Sequence, residues 1–279
     1  MRYPGVNVTE APLAAVDSTP LIVEQHNHVL VLTINRPDAR NAIDLAVTEA
    51  LGDAIEAVEA DPSVRAVILT GTGDKSFCAG ADLKAIARGE NLLPSTGKRA
   101  QWGFAGYTSH HISKPTIAAV NGAALGGGTE LVLASDLAVA STGAIFGLPE
   151  VKRGIIAGAG GVFRLPLQIP RKIAYELMFT GAPIDAERAL ELGLVNRVVA
   201  ADEVLATAIA LANSIAENAP LAVQASKRVA QQIVDGVVVS EERLWEISTE
   251  ERACVRESDD AKEGPRAFAE KRSPVWTAR

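Results

Sequence analysis

At 279 residues, with 48% hydrophobic and 22% charged side chains, the chain is long enough for one large domain with an ample core. The net charge is −7 and no Lys/Arg-rich block appears, which argues against nucleic acid as a partner. Two cysteines, Cys78 and Cys254, make neither a disulfide framework nor a Cys-based metal site, and the pairs His26/His28 and His110/His111 lack a carboxylate at helical zinc spacing, so no metal is expected.

Residues 1–20 lack the basic start and apolar core of a signal peptide and read as a loose leader. No apolar run is long enough to span a bilayer, so no membrane partner is expected and the expected location is the cytoplasm. Residues 28–37 are a β-rich run stopped by Pro37. The spacing of Val47, Leu51, Ala54, Ile55 and Val58 predicts a helix over 41–62, with Pro62 at its end. A strand is predicted over 64–71, a helix from 81 to 87, and a strand over 114–122 closed by Asn121-Gly122. A helix follows the glycines at 126–128, then short strands at 136–141 and 144–147. From about 158 the pattern is helical: 184–194 with Asp185 as N-cap, then 202–217, 220–235 and 240–257. Strands alternating with helices over 20–150 indicate an α/β class. The stretch 90–113 is irregular and carries Trp102, Phe104 and Tyr107, which suits either a binding loop or a satellite cluster over the core.

Two strand-to-helix junctions hold the chemistry. At Gly126-Gly127-Gly128 the first N–H groups of a helix lack internal partners, and glycine lets a ligand approach them. Such a turn can hold an oxygen that gains negative charge or serve only for tight strand–helix packing; the phosphate-loop motifs are absent. A second small-residue turn, Ala79-Gly80-Ala81, precedes the helix at 81–87. Glu130 follows the first turn and Glu150 ends the run 145–150, so two carboxylates in apolar settings are candidates for general acid and base. No G-x-S-x-G is present, and Cys78 reads as a packing residue.

The stretches NRPDARNAID (35–44), FCAGADLK (77–84), KPTIAAVNGAALGGGTEL (114–131), FGLPEVKRGIIAGAGG (146–161), TGAPIDAERALELGLVNRVV (180–199) and AFAEKRSPVW (267–276) together resemble the crotonase, or enoyl-CoA hydratase/isomerase, superfamily. The resemblance covers residue 21 to the C-terminus. It implies a superhelix of strand–strand–helix units over 21–200, which binds acyl-CoA and carries the reaction, and a helical region over 201–279 that assembles trimers, often paired into hexamers. It implies a coenzyme A thioester as substrate and no tightly bound cofactor.

By the same resemblance, the N–H groups of Ala81 and Gly127 form the oxyanion hole, and Glu130 and Glu150 are the catalytic pair that marks hydratases. Asp38, Ala39 and Arg40 fall near the adenine. Ala79, Asp82, Leu83, Lys84, Gly126 and Gly158 follow stretches that contact substrate, while Phe268 and Lys271 match positions that reach a nucleotide, often a neighbouring subunit's. The implied activity is reversible addition of water to a 2-enoyl-CoA. WGFAGYT (102–108), LPEVKRGI (148–155) and the tail 259–276 are similar to carnitinyl-CoA dehydratases, which is the alternative; Trp102 would then face the trimethylammonium group, with Trp102 and Phe104 as candidates for the acyl pocket. An isomerase or a binding-only protein are the lesser readings. Ala157 departs from the pattern, standing where hydratases often have proline.

Overall fold

The computed structural model describes residues 19–279, so nearly all of the expected leader lies outside the described residues. Two sheets organise the chain. The six-stranded sheet has the order β1 (Leu21–His26), β2 (Val29–Ile34), β3 (Ala66–Gly71), β5 (Thr116–Val120), β7 (Leu137–Ser141), β10 (Arg197–Val199). The four-stranded sheet has the order β4 (Ser76–Cys78), β6 (Ala123–Leu125), β8 (Ile145–Gly147), β9 (Ile184–Asp185). β1 and β2 pair antiparallel across Asn27; every other pairing in the larger sheet is parallel. Each turn of chain places one strand in the large sheet, one in the small sheet, then a helix: β3-β4-α2 (Leu83–Ala87), β5-β6-α3 (Gly127–Ala134), β7-β8-α4 (Gly161–Gln168). This is the strand–strand–helix superhelix that the resemblance implies.

Local chemistry sets the boundaries. α1 (Leu45–Ala60) starts at Asp44, whose carboxylate accepts from Val47 N–H at 2.9 Å, and buries Val47, Leu51, Ile55 and Val58. It begins later than residue 41 because Asn41 adopts φ +55 and its amide donates to the carbonyls of Thr72 and Ser76. Asp61 turns extended before Pro62. Along β2, side chains alternate between two buried faces. Leu30, Leu32 and Ile34 join the main core; Val29 and Val31 meet Val204, Ala208 and Ala212 of α7 (Val204–Ala216). Cover on both faces explains why the strands read as continuous apolar runs.

The region after 158 is not helical throughout. α5 (Arg171–Thr180) and α6 (Ala186–Glu191) precede β10, which returns to pair with β7. α6 is capped by Asp185, which accepts from Arg188 N–H at 2.8 Å. Beyond α7 lie α8 (Pro220–Gln231), the small ribbon β11 (Ile233–Val234) and β12 (Val237–Val238), α9 (Glu242–Glu257) and α10 (Asp259–Ala269). No single helix among the described residues is long and apolar enough to cross a membrane.

Candidate active site

The first junction leaves β4 and is stitched to the chain before α1. Ile43 donates to the Gly80 carbonyl and accepts from Asp82 N–H, both at 2.9 Å, in a parallel bridge opposite Ala81. Ile43 thus uses residues 80 and 82, which turns the Ala81 N–H to the other side. Asp82 caps α2 by accepting from Lys84 and Ala85 N–H, and its second oxygen takes Arg36 at 2.9 Å. Burial pushes its carboxyl up, but the Arg36 guanidinium and these N–H groups outweigh that and hold it below the ordinary range.

The second junction leaves β6 through Gly126, at φ +56, into α3. Here the glycines are sterically required. A Cβ on Gly128 would collide with the Cys78 carbonyl, and one on Gly127 with the Phe104 ring. The same virtual atom on Gly80 would lie 3.1 Å from Gly127 nitrogen. The two junctions are therefore in backbone contact, and Gly127 N–H, in the first helical turn, has no acceptor within the helix.

Both candidate carboxylates border this contact. Glu130, in the first turn of α3, is 4% exposed, and its Oε1 accepts from Ala159 N–H at 2.7 Å and Gly161 N–H at 2.9 Å. Glu150 stands in the 3-10 turn Pro149–Arg153 after β8; its Oε1 is 2.9 Å from where a Cβ on Gly126 would be. Its Oε2 is buried and has no partner among the described residues. Burial raises Glu130 to about 7, against the pull of the two N–H groups and of Arg164 and Arg252. Burial, and then the charge of Glu130, push Glu150 up to about 8. With no cation of its own, Glu150 is the partner that holds the proton, and Glu130 is the one that ionises.

The other expected residues divide. The turn Pro37–Ala39, with Asp38 and Ala39, leads to Arg40, whose carbonyl accepts from Ala79 N–H at 3.1 Å, so it lies beside the first junction. Leu83 and Lys84 are exposed on α2. Phe104 lies on Gly127, but Trp102 does not join it: that ring is buried over Gly52 of α1 and stacks on His110 at 4.7 Å. Loop 90–113 thus supplies both a core cover and one aromatic at the junction. Gly158 lies under the Arg252 side chain. Phe268 is exposed on α10 against Arg153 at 4.1 Å, and Lys271 follows at φ +54. Cys78 is buried, with its thiol pushed up to about 12 by burial, which leaves it inert. Sequence reading missed Arg164, Trp245, Ser248 and Arg252 around the loop 157–164; no motif marks them. A cavity of about 750 Å³ opens behind α3 along Tyr107, Asp136, Arg164, Lys227 and Trp245, and neither glutamate lines it.

The family model for enoyl-CoA hydratase/isomerase matches residues 24–279. A carnitinyl-CoA dehydratase of Proteus mirabilis is 43% identical over 264 residues, covering 94% of this chain and 100% of its own. A crystal structure of carnitinyl-CoA hydratase from Mycobacterium avium is 59% identical with a TM-score of 0.91, over 94% of this chain and 99% of that one. A crystal structure of enoyl-CoA hydratase from Mycobacterium tuberculosis is 46% identical with a TM-score of 0.72, over 94% and 100%. The fold, the paired junctions and these full-length likenesses agree: the chain belongs to the enoyl-CoA hydratase/isomerase family, the crotonase superfamily.

Proposed function

We propose that the protein is a hydro-lyase that adds water across the 2,3 double bond of an enoyl-CoA thioester and removes it in reverse. The observation that carries this reading is the pair of buried carboxyls, Glu130 in the helix that follows the Gly126–Gly127 turn and Glu150 against Gly126, both pushed up by burial. An isomerase needs one such group; water addition uses both.

In the forward direction the Glu130 carboxylate takes a proton from water as the water oxygen bonds to C3. The π electrons move toward the thioester, and C2 takes the proton of the Glu150 carboxylic acid. Negative charge on the thioester oxygen is met by the N–H groups of Ala81 and Gly127, a contribution worth about 3 kcal/mol per donor in comparable sites. The proton gained by Glu130 then replaces the one lost by Glu150, and the pair is reset. Coenzyme A enters as part of the substrate, along Asp38–Arg40, Ala79 and Asp82–Lys84 at the first junction. Phe268 and Lys271 serve the nucleotide end, and Phe104 closes the acyl side.

A second reading applies the same chemistry to a carnitinyl-CoA substrate, on the names of the Proteus mirabilis and Mycobacterium avium relatives. Assembly into a homotrimer, or two such trimers, belongs to the proposal too. It is supported by α8, which buries no residue of its own and exposes Leu221 and Val229.

The test is loss of the enoyl-thioester absorbance of crotonyl-CoA. Turnover by the protein and a fall of about 10²-fold or more in Glu150→Ala, the usual worth of an acid–base group, are the expected results. Absence of turnover on any enoyl-CoA ends the reading.

A further inference from the structure

One face of α9 looks onto the loop that holds Glu130 and carries polar groups the hydration chemistry does not use. Trp245, Ser248 and Arg252 are spaced i, i+3, i+7 and share that face. Trp245 meets Phe163 edge-on at 4.9 Å, and Arg252 Cδ lies 2.7 Å from where a Cβ on Gly158 would be. Ser248, between them, is 4% exposed, and its hydroxyl is buried with no partner among the described residues. Arg164 approaches from α4, itself 9% exposed. Its Nε and Nη2 donate to Glu241 at 2.9 and 2.7 Å, while Nη1 is buried, has no acceptor among the described residues, and lies 3.2 Å from the virtual Cβ of Gly160. Arg252 is exposed and makes no ion pair among the described residues; Glu250 and Glu251 beside it are exposed. Both guanidinium charges reach Glu130.

Three donors without protein acceptors therefore surround residues 158–161: two buried ones, the Ser248 hydroxyl and Arg164 Nη1, and the exposed Arg252 guanidinium. Buried donors without acceptors are costly, and a ligand that supplies acceptors relieves that cost. A quaternary ammonium supplies none. It binds on aromatic faces or against free carboxylates, and the aromatic faces and buried carboxylates that touch this loop and α9 are taken. Arg164 lies over Trp245 at 5.3 Å and over Phe163 at 5.7 Å, Arg153 lies over Phe268, and Trp102 is stacked on His110. Glu130 is held by two N–H groups and Glu241 by Arg164.

We infer that Ser248, Arg252 and Arg164 form an acyl-end subsite for a carboxylate, so that the preferred substrate is a 2-enoyl-CoA bearing an acidic group on C4. This rests on the hydro-lyase reading, and it selects against the cationic acyl group named for the relatives. A planar guanidinium matches a carboxylate with two parallel hydrogen bonds, and a site with buried donors discriminates strongly against analogues that cannot fill them.

The matched pair 4-carboxybut-2-enoyl-CoA and 4-trimethylammoniobut-2-enoyl-CoA differs only in the C4 substituent, with crotonyl-CoA as the unsubstituted reference. The expected result is a kcat/KM for the carboxylate at least about tenfold above that for the ammonium, with the difference mainly in KM. Arg252→Glu should lower the carboxylate-to-ammonium ratio by about tenfold or more, and Ser248→Ala should lower it in the same direction. A preference for the ammonium substrate, or an unchanged ratio in Arg252→Glu, overturns the inference. Calorimetric binding of the saturated thioesters 4-carboxybutanoyl-CoA and 4-trimethylammoniobutanoyl-CoA reads the subsite without turnover. Tighter binding of the carboxylate supports it, and tighter binding of the ammonium or equal binding refutes it. If none of the three enoyl thioesters reacts while the saturated carboxylate binds tighter, the hydro-lyase reading falls and the subsite stands.

Discussion

Glu130 and Glu150 differ in what surrounds them, not in what they are. Two backbone N–H groups and two arginines pull Glu130 toward the anion, whereas Glu150 has an orphaned buried oxygen and a neighbouring negative charge. Activity needs the first ionised and the second protonated, so kcat/KM should be bell-shaped, with its limbs set by the pair as a unit between about 7 and about 8. Glu150→Gln should lose the alkaline limb along with most of the rate. Both carboxyls stay protonated to higher pH in the folded protein than in the unfolded chain, from an ordinary 4.5. The folded state then binds more protons, and stability falls as pH rises from that value through about 8. Thermal melts should show Glu150→Gln more stable than the parent at pH 9, and no gain at pH 4. Gly161 is a sharper probe of geometry, because a Cβ there would stand 3.0 Å from Glu130 Oε1. Gly161→Ala should cut kcat by about 10²-fold while the far-ultraviolet dichroism stays that of the parent.

At the scale of elements, what the sequence revealed depended on length and neighbours. α1 could be read from its apolar spacing, and the strands of the large sheet from their β-branched runs. β6, β9 and β10 are two or three residues long, too short for any periodicity, and owe their existence to partners fixed elsewhere in the chain. The glycine junctions stood out because a carboxylate beside three glycines is costly unless close packing or a site requires them. The face of α9 did not, because helical spacing gives a buried stripe without saying what it is buried against. Trp102 shows the same limit: its residue type suited a pocket wall, yet it covers Gly52. Trp102→Ala should therefore lower unfolding free energy by about 3–5 kcal/mol in urea titration.

For the whole molecule, the apolar surface of α8 is one that a single chain leaves uncovered. Leu221 is 77% and Val229 80% exposed, on a helix none of whose residues is buried. Isolated apolar residues on a surface are ordinary; a helix with no face of its own in the core points to assembly. Sedimentation should give three protomers or a multiple of three, and the double substitution Leu221→Glu with Val229→Glu should shift the mass toward one.

The turn that presents Glu150 is pressed from outside by the last helix. A Cβ on Gly154 would collide with the Asp260 carbonyl, and one on Gly264 with the Arg153 carbonyl, so α10 and this turn meet backbone to backbone. The helix that meets this turn is thus more than 100 residues downstream of Glu150. Both sheets can pair before that point. A chain with both sheets paired still lacks the contact that backs the turn carrying its acid, so competence for catalysis depends on the docking of α10 as well as on the sheets.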